Sequence, residues 1–385
     1  AGAVIAIGLA SVELCLMSIP AAIVGAETRL SRYLIIEFVF GRKGSDYVNA
    51  LLALTLLGWF AVTAGFFGET LALAFEEFLA ASPPVWLLTL ISSLLIIATT
   101  IYGFKAIDRL ALFAVPLLIL FMVYVASLSL ENGSIESLLA IQGQDPDYFP
   151  TAVSTIIGSL IVGVVLMPDL TRYARTRFDC VSASVLGNGV GNAFSMMIAV
   201  LPAVATGLLD PMGYMIFLGL VGSAFVILVF ATWTTNSVNL YSTVLAVAII
   251  KPKTAEWRLT VICGVIGTAL AMVGIADYFV EFLEWLGVIV PPVAGVYLTD
   301  YFILQRKAYA LSLLERVPDY DTAALVTWLS ATLLSVLAFW FDTSISGIVS
   351  LDALLVTIPI YLLCLRIWPT RFDRKLNMIS GQDQT

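Results

Sequence analysis

The chain reads as an all-α, polytopic integral membrane protein with about eleven transmembrane helices, and three observations lead there. It is 60% hydrophobic and only 12% charged over 385 residues, too little polar surface to cover a soluble globule of that size. Its apolar residues gather into runs of the length, roughly 20 residues, that a helix needs to cross a bilayer. All 19 Lys and Arg residues fall in alternate connections between those runs, the distribution that the positive-inside rule describes.

In chain order the expected spans lie near 2–25, 48–79, 84–103, 110–130, 149–167, 181–209, 214–250, 259–276, 283–304, 323–341 and 345–367. The basic residues then sit after the first span (Arg29, Arg32, Arg42, Lys43), the third (Lys105, Arg109), the fifth (Arg172, Arg175, Arg177), the seventh (Lys251, Lys253, Arg258) and the ninth (Arg306, Lys307, Arg316), and at the end (Arg366, Arg371, Arg374, Lys375). Those connections and the C-terminus are expected in the cytoplasm. The net charge of −8 comes mostly from the opposite connections and helix ends, at Glu131, Glu136, Asp145, Asp147, Asp210, Asp277, Glu281 and Glu284. An odd number of spans with a cytoplasmic C-terminus puts Ala1 outside, so at least one further helix is expected before it in the parent protein.

The first span carries Glu13 in VELCLM with no local basic partner. An intramembrane carboxylate is costly, so Glu13 is either a hydrogen-bonded or near-surface acid or a proton-coupling group facing a wet cavity. In the second span Thr55, Trp59 and Thr63 stand at i, i+4 and i+8. Trp59 there is either core or lipid-facing bulk or a stacking platform for a planar ligand. Glu69 lies in the outer half of that span, as a second candidate for proton coupling or as a surface acid beside Glu76 and Glu77. In the fifth, Gly158 and Ser159 mark either an unwound point or a packing contact. The sixth holds Asn188, Asn192 and Ser195 at helical spacing, read as a packing seam, with GNGVGN (187–192) read as glycines that let helices approach. The seventh carries Thr232, Thr235, Asn236, Asn239, Ser242 and Thr243 along one face, either a seam or the lining of a substrate path. In the ninth, Pro291 and Pro292 remove two amide donors and must kink or interrupt the helix.

Several function classes drop out. The chain has no His, which excludes histidine proton relays and Ser/His/Asp hydrolysis and leaves most zinc centres without a ligand. No phosphate-binding loop or dinucleotide fingerprint is present, no enzyme is expected, and no cofactor is called for. The short basic clusters are explained by topology, so no nucleic-acid partner is expected. Cys15, Cys180, Cys263 and Cys364 are spaced for neither a metal site nor a disulfide framework.

Five stretches together resemble the nucleobase:cation symporters, the family that includes cytosine, allantoin, uracil and hydantoin permeases: GAETRLSRYLIIEFVFGRKGS (25–45), GWFAVTAGFFG (58–68), GSLIVGVVLMPDLTRYAR (158–175), WTTNSVNLYS (233–242) and GVIVPPVAGVYLTDYF (287–302). They occur in the family's order, and the cytosine permease branch is the most similar. The resemblance implies a twelve-helix parent with two inverted five-helix repeats, this chain starting at the second helix. Residues 1–130 would then be the rest of the first repeat, 131–305 the second, and 306–385 two further helices and a tail. It also implies roles: Trp59 stacking on a planar base, Thr63 facing it, Gly158 and Ser159 in an unwound helix beside it, Asn236 and Asn239 offering amides, and Thr234 and Thr235 holding sodium where coupling is to sodium. Leu160 stands where cytosine permease has an aromatic residue. Asp169, Arg172 and Arg175 match a helix-end motif of the cytoplasmic side, an ion pair of the inward gate or plain topology. The implied activity is import of a nucleobase-like heterocycle with a downhill cation, Na+ or H+, across a bacterial inner membrane, by one bundle rocking against the other. An amino acid:cation symporter of the same plan and a non-transporting receptor or scaffold are the alternatives.

Overall fold

Long apolar stretches with few breakers form helices because a backbone away from water must satisfy its amides within its own segment. The structure, a computed structural model, describes residues 2–102, 104–131, 148–208, 211–304, 309–341 and 343–368, and among them there is no strand. The expected acidic positions Glu136, Asp145, Asp147 and Asp210, and the basic Arg306, Lys307, Arg371, Arg374 and Lys375, lie outside the described residues.

The helices are α1 (Gly2–Thr28), α2 (Arg32–Phe40), α3 (Gly44–Leu79), α4 (Val85–Ile101), α5 (Phe104–Glu131), α6 (Tyr148–Val165), α7 (Met167–Thr171), α8 (Arg177–Ser184), α9 (Asn192–Thr206), α10 (Pro211–Phe217), α11 (Val221–Ile250), α12 (Glu256–Met272), α13 (Phe279–Ile289), α14 (Pro291–Thr299), α15 (Thr322–Trp340), α16 (Val349–Leu355) and α17 (Thr357–Ile367). By length and composition, six stretches among the described residues can cross a membrane: Gly2–Thr28, Gly44–Leu79, Arg177–Thr206, Ile275–Leu304, Thr322–Trp340 and Val349–Ile367. Shorter apolar helices cover Val85–Ile101, Pro116–Leu130 and Phe149–Val165. Every expected span thus coincides with helix, and the all-α reading holds.

Four details differ from the expectation or sharpen it. The seventh span is two helices, because Gly219 adopts φ +73° and ends α10 with Leu220 N–H donating to Met215 O and Gly219 N–H to Ile216 O, a left-handed glycine stop. The sixth span opens its glycine-rich stretch into a π-helical turn over Val185–Gly191. The ninth span is interrupted at Val290, immediately before Pro291 and Pro292, as the missing amide donors require. The first basic connection contains the short helix α2, which the sequence reading passed over.

Packing divides the chain into two compact units interleaved along the sequence. The first, residues 50–143 and 194–279, is centred on Leu57, Phe60, Phe67, Ile96, Ile97, Leu240, Val244, Leu259 and Cys263, from α3, α4, α11 and α12. Small residues bring these helices together: a Cβ at Gly267 would run into the Phe60 ring and one at Gly264 into Ile97. Trp233 Nε1–H donates to Thr99 Oγ1 at 3.1 Å.

The second unit, residues 2–49, 144–193 and 280–385, packs α1 along α6, α7 and α8, and α14 against α16 and α17. One of its features bears on topology. Arg42 N–H donates to Pro318 O and Lys43 N–H to Asp319 O, while Asp321 N–H donates to Phe40 O. Arg29 Nη1 donates to Arg172 O at 3.1 Å and to Ala174 O. The connection 29–43 therefore bonds at one end to 166–177 and at the other to 309–321, two connections that the charge pattern places on its own side. In the same unit the Asp300 carboxylate accepts hydrogen bonds from Tyr309 and from Tyr361 at 2.8 Å, and burial with that carboxylate holds the Tyr309 phenol well above its usual range.

Candidate functional site

In the first unit the site begins on α3. Trp59 and Thr63 share a face because they are four residues apart. Thr63 Oγ1 donates back to Trp59 O at 2.6 Å and lies 2.7 Å from Asn236 Oδ1 on α11. Asn236 is 0% exposed, and its Nδ2 has no hydrogen-bond partner. A buried amide donor left open costs about 1–3 kcal/mol, so this corner of the unit is prepared for an acceptor. The α3 and α11 stripes, identified separately from spacing, do converge at this pair.

The aromatic beside them was missed. Phe279, at the start of α13, sets its ring edge-on to Trp59, with centroids 5.9 Å apart and planes at 75°. It does the same to Phe66 at 5.2 Å and 85°. A T-shaped triad of this kind restrains the half-buried indole through the attraction of ring edge to ring face. No sequence signal joins positions 59 and 279; the only clue was that Gly274, with φ +91°, and a 3₁₀ turn over Ile275–Tyr278 begin a helix just there.

Other residues of the stripes answer locally. Thr55 is buried and bonds Leu52 O at 2.8 Å, so its hydroxyl flanks Trp59 in sequence while serving its own helix. Thr243 bonds Asn239 O at 2.8 Å. Asn239 is partly buried, one turn beyond Asn236. Thr234 and Thr235 are 100° apart around α11: Thr234 is buried and donates to its helix at Phe230 O, 2.5 Å, or Ala231 O, 2.9 Å, and Thr235 is exposed.

In the second unit, Gly158, Ser159 and Leu160 lie within α6, which is continuous α-helix through Val165. Of the two readings left open at Gly158 and Ser159 the packing contact is the one found, and the unwound helix that the resemblance implied is corrected: the glycine admits the backbone of α13, since a Cβ there would collide with the Leu283 carbonyl. Ser159 Oγ donates to Ile156 O at 2.7 Å, and Leu160 is partly exposed. The chain leaves α6 lower down, at Leu166, before Pro168. In the sixth-span seam Asn192 Nδ2 donates to Ser11 Oγ at 2.9 Å, as packing predicts, whereas Gly187 has open space about it and Gly189 makes only ordinary contact with Cys15.

Asp169 takes an ion-pair role with a partner the sequence did not suggest. Its Oδ1 accepts Arg32 N–H at 2.8 Å, and its Oδ2 lies 3.4 Å from Arg32 Nε, tying α2 to α7. Burial pushes the Asp169 carboxyl up, with the Arg32 charge pulling it back. Arg172 instead stacks on Tyr173, 4.6 Å from the ring centroid. The two intramembrane acids part company: Glu13 is 5% exposed, and Glu69 is exposed. The four cysteines are free, and among the described residues no group of three or more His, Cys, Asp or Glu is placed to hold a metal.

Comparison with known proteins places this geometry in context. A profile of the family described as permease for cytosine/purines, uracil, thiamine, allantoin matches residues 2–356. The cytosine permease of Escherichia coli (strain K12) is 32% identical over 285 residues, 74% of this chain and 66% of that protein, so the match spans just under two thirds of that relative. The hydantoin permease of Microbacterium maritypicum is 27% identical over 83% of this chain and 71% of its own length. Among solved structures, Mhp1, a nucleobase-cation-symport-1 family transporter in a closed conformation with bromovinylhydantoin bound, has a TM-score of 0.78 at 20% identity, covering 97% of this chain and 88% of that one. MhsT in complex with L-phenylalanine follows at 0.59 and 15%. Both likenesses are of fold, and they bear out the inverted-repeat transporter architecture that the motifs implied.

Proposed function

Because this chain belongs to the family of permeases for cytosine/purines, uracil, thiamine and allantoin, we propose that it is a secondary active transporter that imports a nucleobase or related planar heterocycle together with a cation, by alternating access. The observation that carries the reading is the Asn236 amide, fully buried with an open donor, held beside Thr63, which itself lies one helical turn from Trp59. A neutral heterocycle has what this corner asks for. Its ring carbonyl or unprotonated nitrogen accepts from Nδ2, and its flat face stacks on the indole. Asn239 extends the amide face by one turn. Gly158, Ser159 and Leu160 remain candidates for substrate binding, now as continuous helix. Thr234 and Thr235 are candidates for sodium, and Glu13 and Glu69 for a proton. The protein works, on this reading, as a multi-pass component of the bacterial inner membrane with a cytoplasmic C-terminus.

The experiment is uptake of radiolabelled cytosine, uracil, hypoxanthine, allantoin and hydroxymethylpyrimidine into proteoliposomes, with L-phenylalanine as the amino acid control, under a sodium or a pH gradient. Accumulation of one heterocycle and not of the amino acid is expected. Trp59→Ala should raise KM about 10- to 100-fold, the equivalent of roughly 1–3 kcal/mol of stacking. Uptake of the amino acid alone would replace the heterocycle reading with that of an amino acid symporter, and binding without accumulation would make the protein a receptor.

A further inference from the structure

Glu13 lies in the middle of α1, a helix of 27 residues, 5% exposed and with its Oε1 buried and without a hydrogen-bond partner. A carboxylate in that position has lost water and gained no donor, which is among the costliest arrangements a membrane protein can hold unless the group binds a proton. Asp352 on α16 is an acid of the same unit. The two acids are equipped differently. Asp352 accepts from Ser344 Oγ at 2.6 Å and from the backbone N–H groups of Ile345 at 2.7 Å and Ser346 at 3.1 Å, so its anion is well solvated by the chain. Glu13 Oε1 has no such donor. Of the two, Glu13 is the acid whose anion is less well supported, and so the one better suited to hold a proton.

The remaining charges on the elements packed against α1 are occupied elsewhere. Between 149 and 165, α6 carries no charged residue, and the π-helical turn has none. Asp169 of α7 pairs with Arg32. Arg177 of α8 pairs with Glu27 at 2.5 Å, 14 residues and about 21 Å along α1 from Glu13. Asp179 caps its own helix through Thr176. Tyr297 of α14 is buried and carries no charge in its ordinary form.

We propose that Glu13 is the proton-binding site of this transporter: its carboxylate takes up one H+ from one side of the membrane, crosses the transport cycle as a neutral acid, and releases the same H+ on the other side. The inference deepens the transport reading and rests on it. It also separates the two acids that the sequence offered for proton coupling, since Glu69 is exposed and Glu13 is not.

Two measurements on the reconstituted chain test it. Difference infrared spectroscopy across neutral pH should show the C=O stretch of a protonated carboxylic acid, absent in the isosteric Glu13→Gln. In proteoliposomes without sodium, Glu13→Gln should keep counterflow exchange of whichever of the five labelled heterocycles the wild type carries, yet lose all accumulation driven by a pH gradient. Glu13→Asp, which keeps a titratable group, should restore part of it. A carboxyl band that survives in Glu13→Gln, accumulation by that variant at the wild-type level, or wild-type accumulation driven by sodium alone would each overturn the proposal. If the wild type exchanges none of the heterocycles, the transport reading fails, and the infrared band alone decides whether Glu13 holds a proton.

Discussion

Phe279 shows how a single side chain can set the geometry of another. Its ring meets Trp59 and Phe66 edge-on, so the indole is restrained from one side. Replacing Phe279 by Leu keeps an apolar residue and removes both edge-to-face contacts, each worth about 0.5–1.5 kcal/mol. For a planar heterocycle we expect KM to rise about 2- to 10-fold while kcat changes little, with Phe279→Tyr restoring the wild-type value. A KM unchanged in Phe279→Leu would mean that the indole is positioned by something else. Trp59 and Thr63 were legible because four residues make about one helical turn, so a polar and an aromatic group on one face stand out in the sequence. The Thr63 bond to Asn236 was half legible, as two stripes with no statement of which faced which. Phe279 was not legible, since an aromatic residue at a helix start is ordinary and only the folded chain brings it to α3.

At the scale of the helix, the same residue type served three purposes, and sequence could not sort them. Gly219 ends a helix through its positive φ, and glycines 187–191 accompany a π-helical turn. Gly158 lets two backbones touch inside continuous α-helix. Proline was legible where two stand together: Pro291 and Pro292 interrupt the ninth span as expected, whereas Pro20, Pro116 and Pro202 lie singly inside helices that continue past them. The role of Gly158 can be tested directly. Gly158→Ala adds a methyl group that collides with the Leu283 carbonyl, and backbone rather than a flexible side chain must give way. We expect a loss of about 1–3 kcal/mol, the usual cost of overpacking, seen as a lower melting temperature in detergent. An unwound segment would accept the methyl group at no such cost, so an unchanged melting temperature would restore the unwound reading.

For the molecule as a whole, the alternation of basic residues implies sidedness, and the second unit supplies a physical counterpart to it: the basic connection 29–43 hydrogen-bonds at one end to 166–177 and at the other, in a second cluster, to 309–321. Part of that cluster is a surface clasp in which Lys43 Nζ lies 2.7 Å and Arg42 Nη2 3.0 Å from the Asp319 carboxylate. The Lys43 hydrogen bond holds Asp319 below its ordinary 3.8, and the bond to Asp319 holds Lys43 above its ordinary 10.5. The lowered acid stabilises the fold above 3.8 and loses that contribution as pH falls through its folded value; the raised base stabilises it below 10.5 and loses it as pH rises through its own. Between those limits the clasp is intact, and salt should weaken it because both partners are exposed. Melting curves of Asp319→Asn should therefore converge with the wild type at both extremes of pH and in high salt, and fall below it between them. Both clusters bear on orientation. Lys43, Arg175 and Asp319 should share one face of the membrane, and Ile345, 97% exposed in the loop that leads into α16, should lie on the other. In a chain freed of its four native cysteines, a cysteine at Ile345 should react with an impermeant maleimide added to intact cells. One at Lys43 or Asp319 should react only after permeabilisation. Reaction of all three from the same side would break the link between basic residues and sidedness on which the eleven-span reading rests.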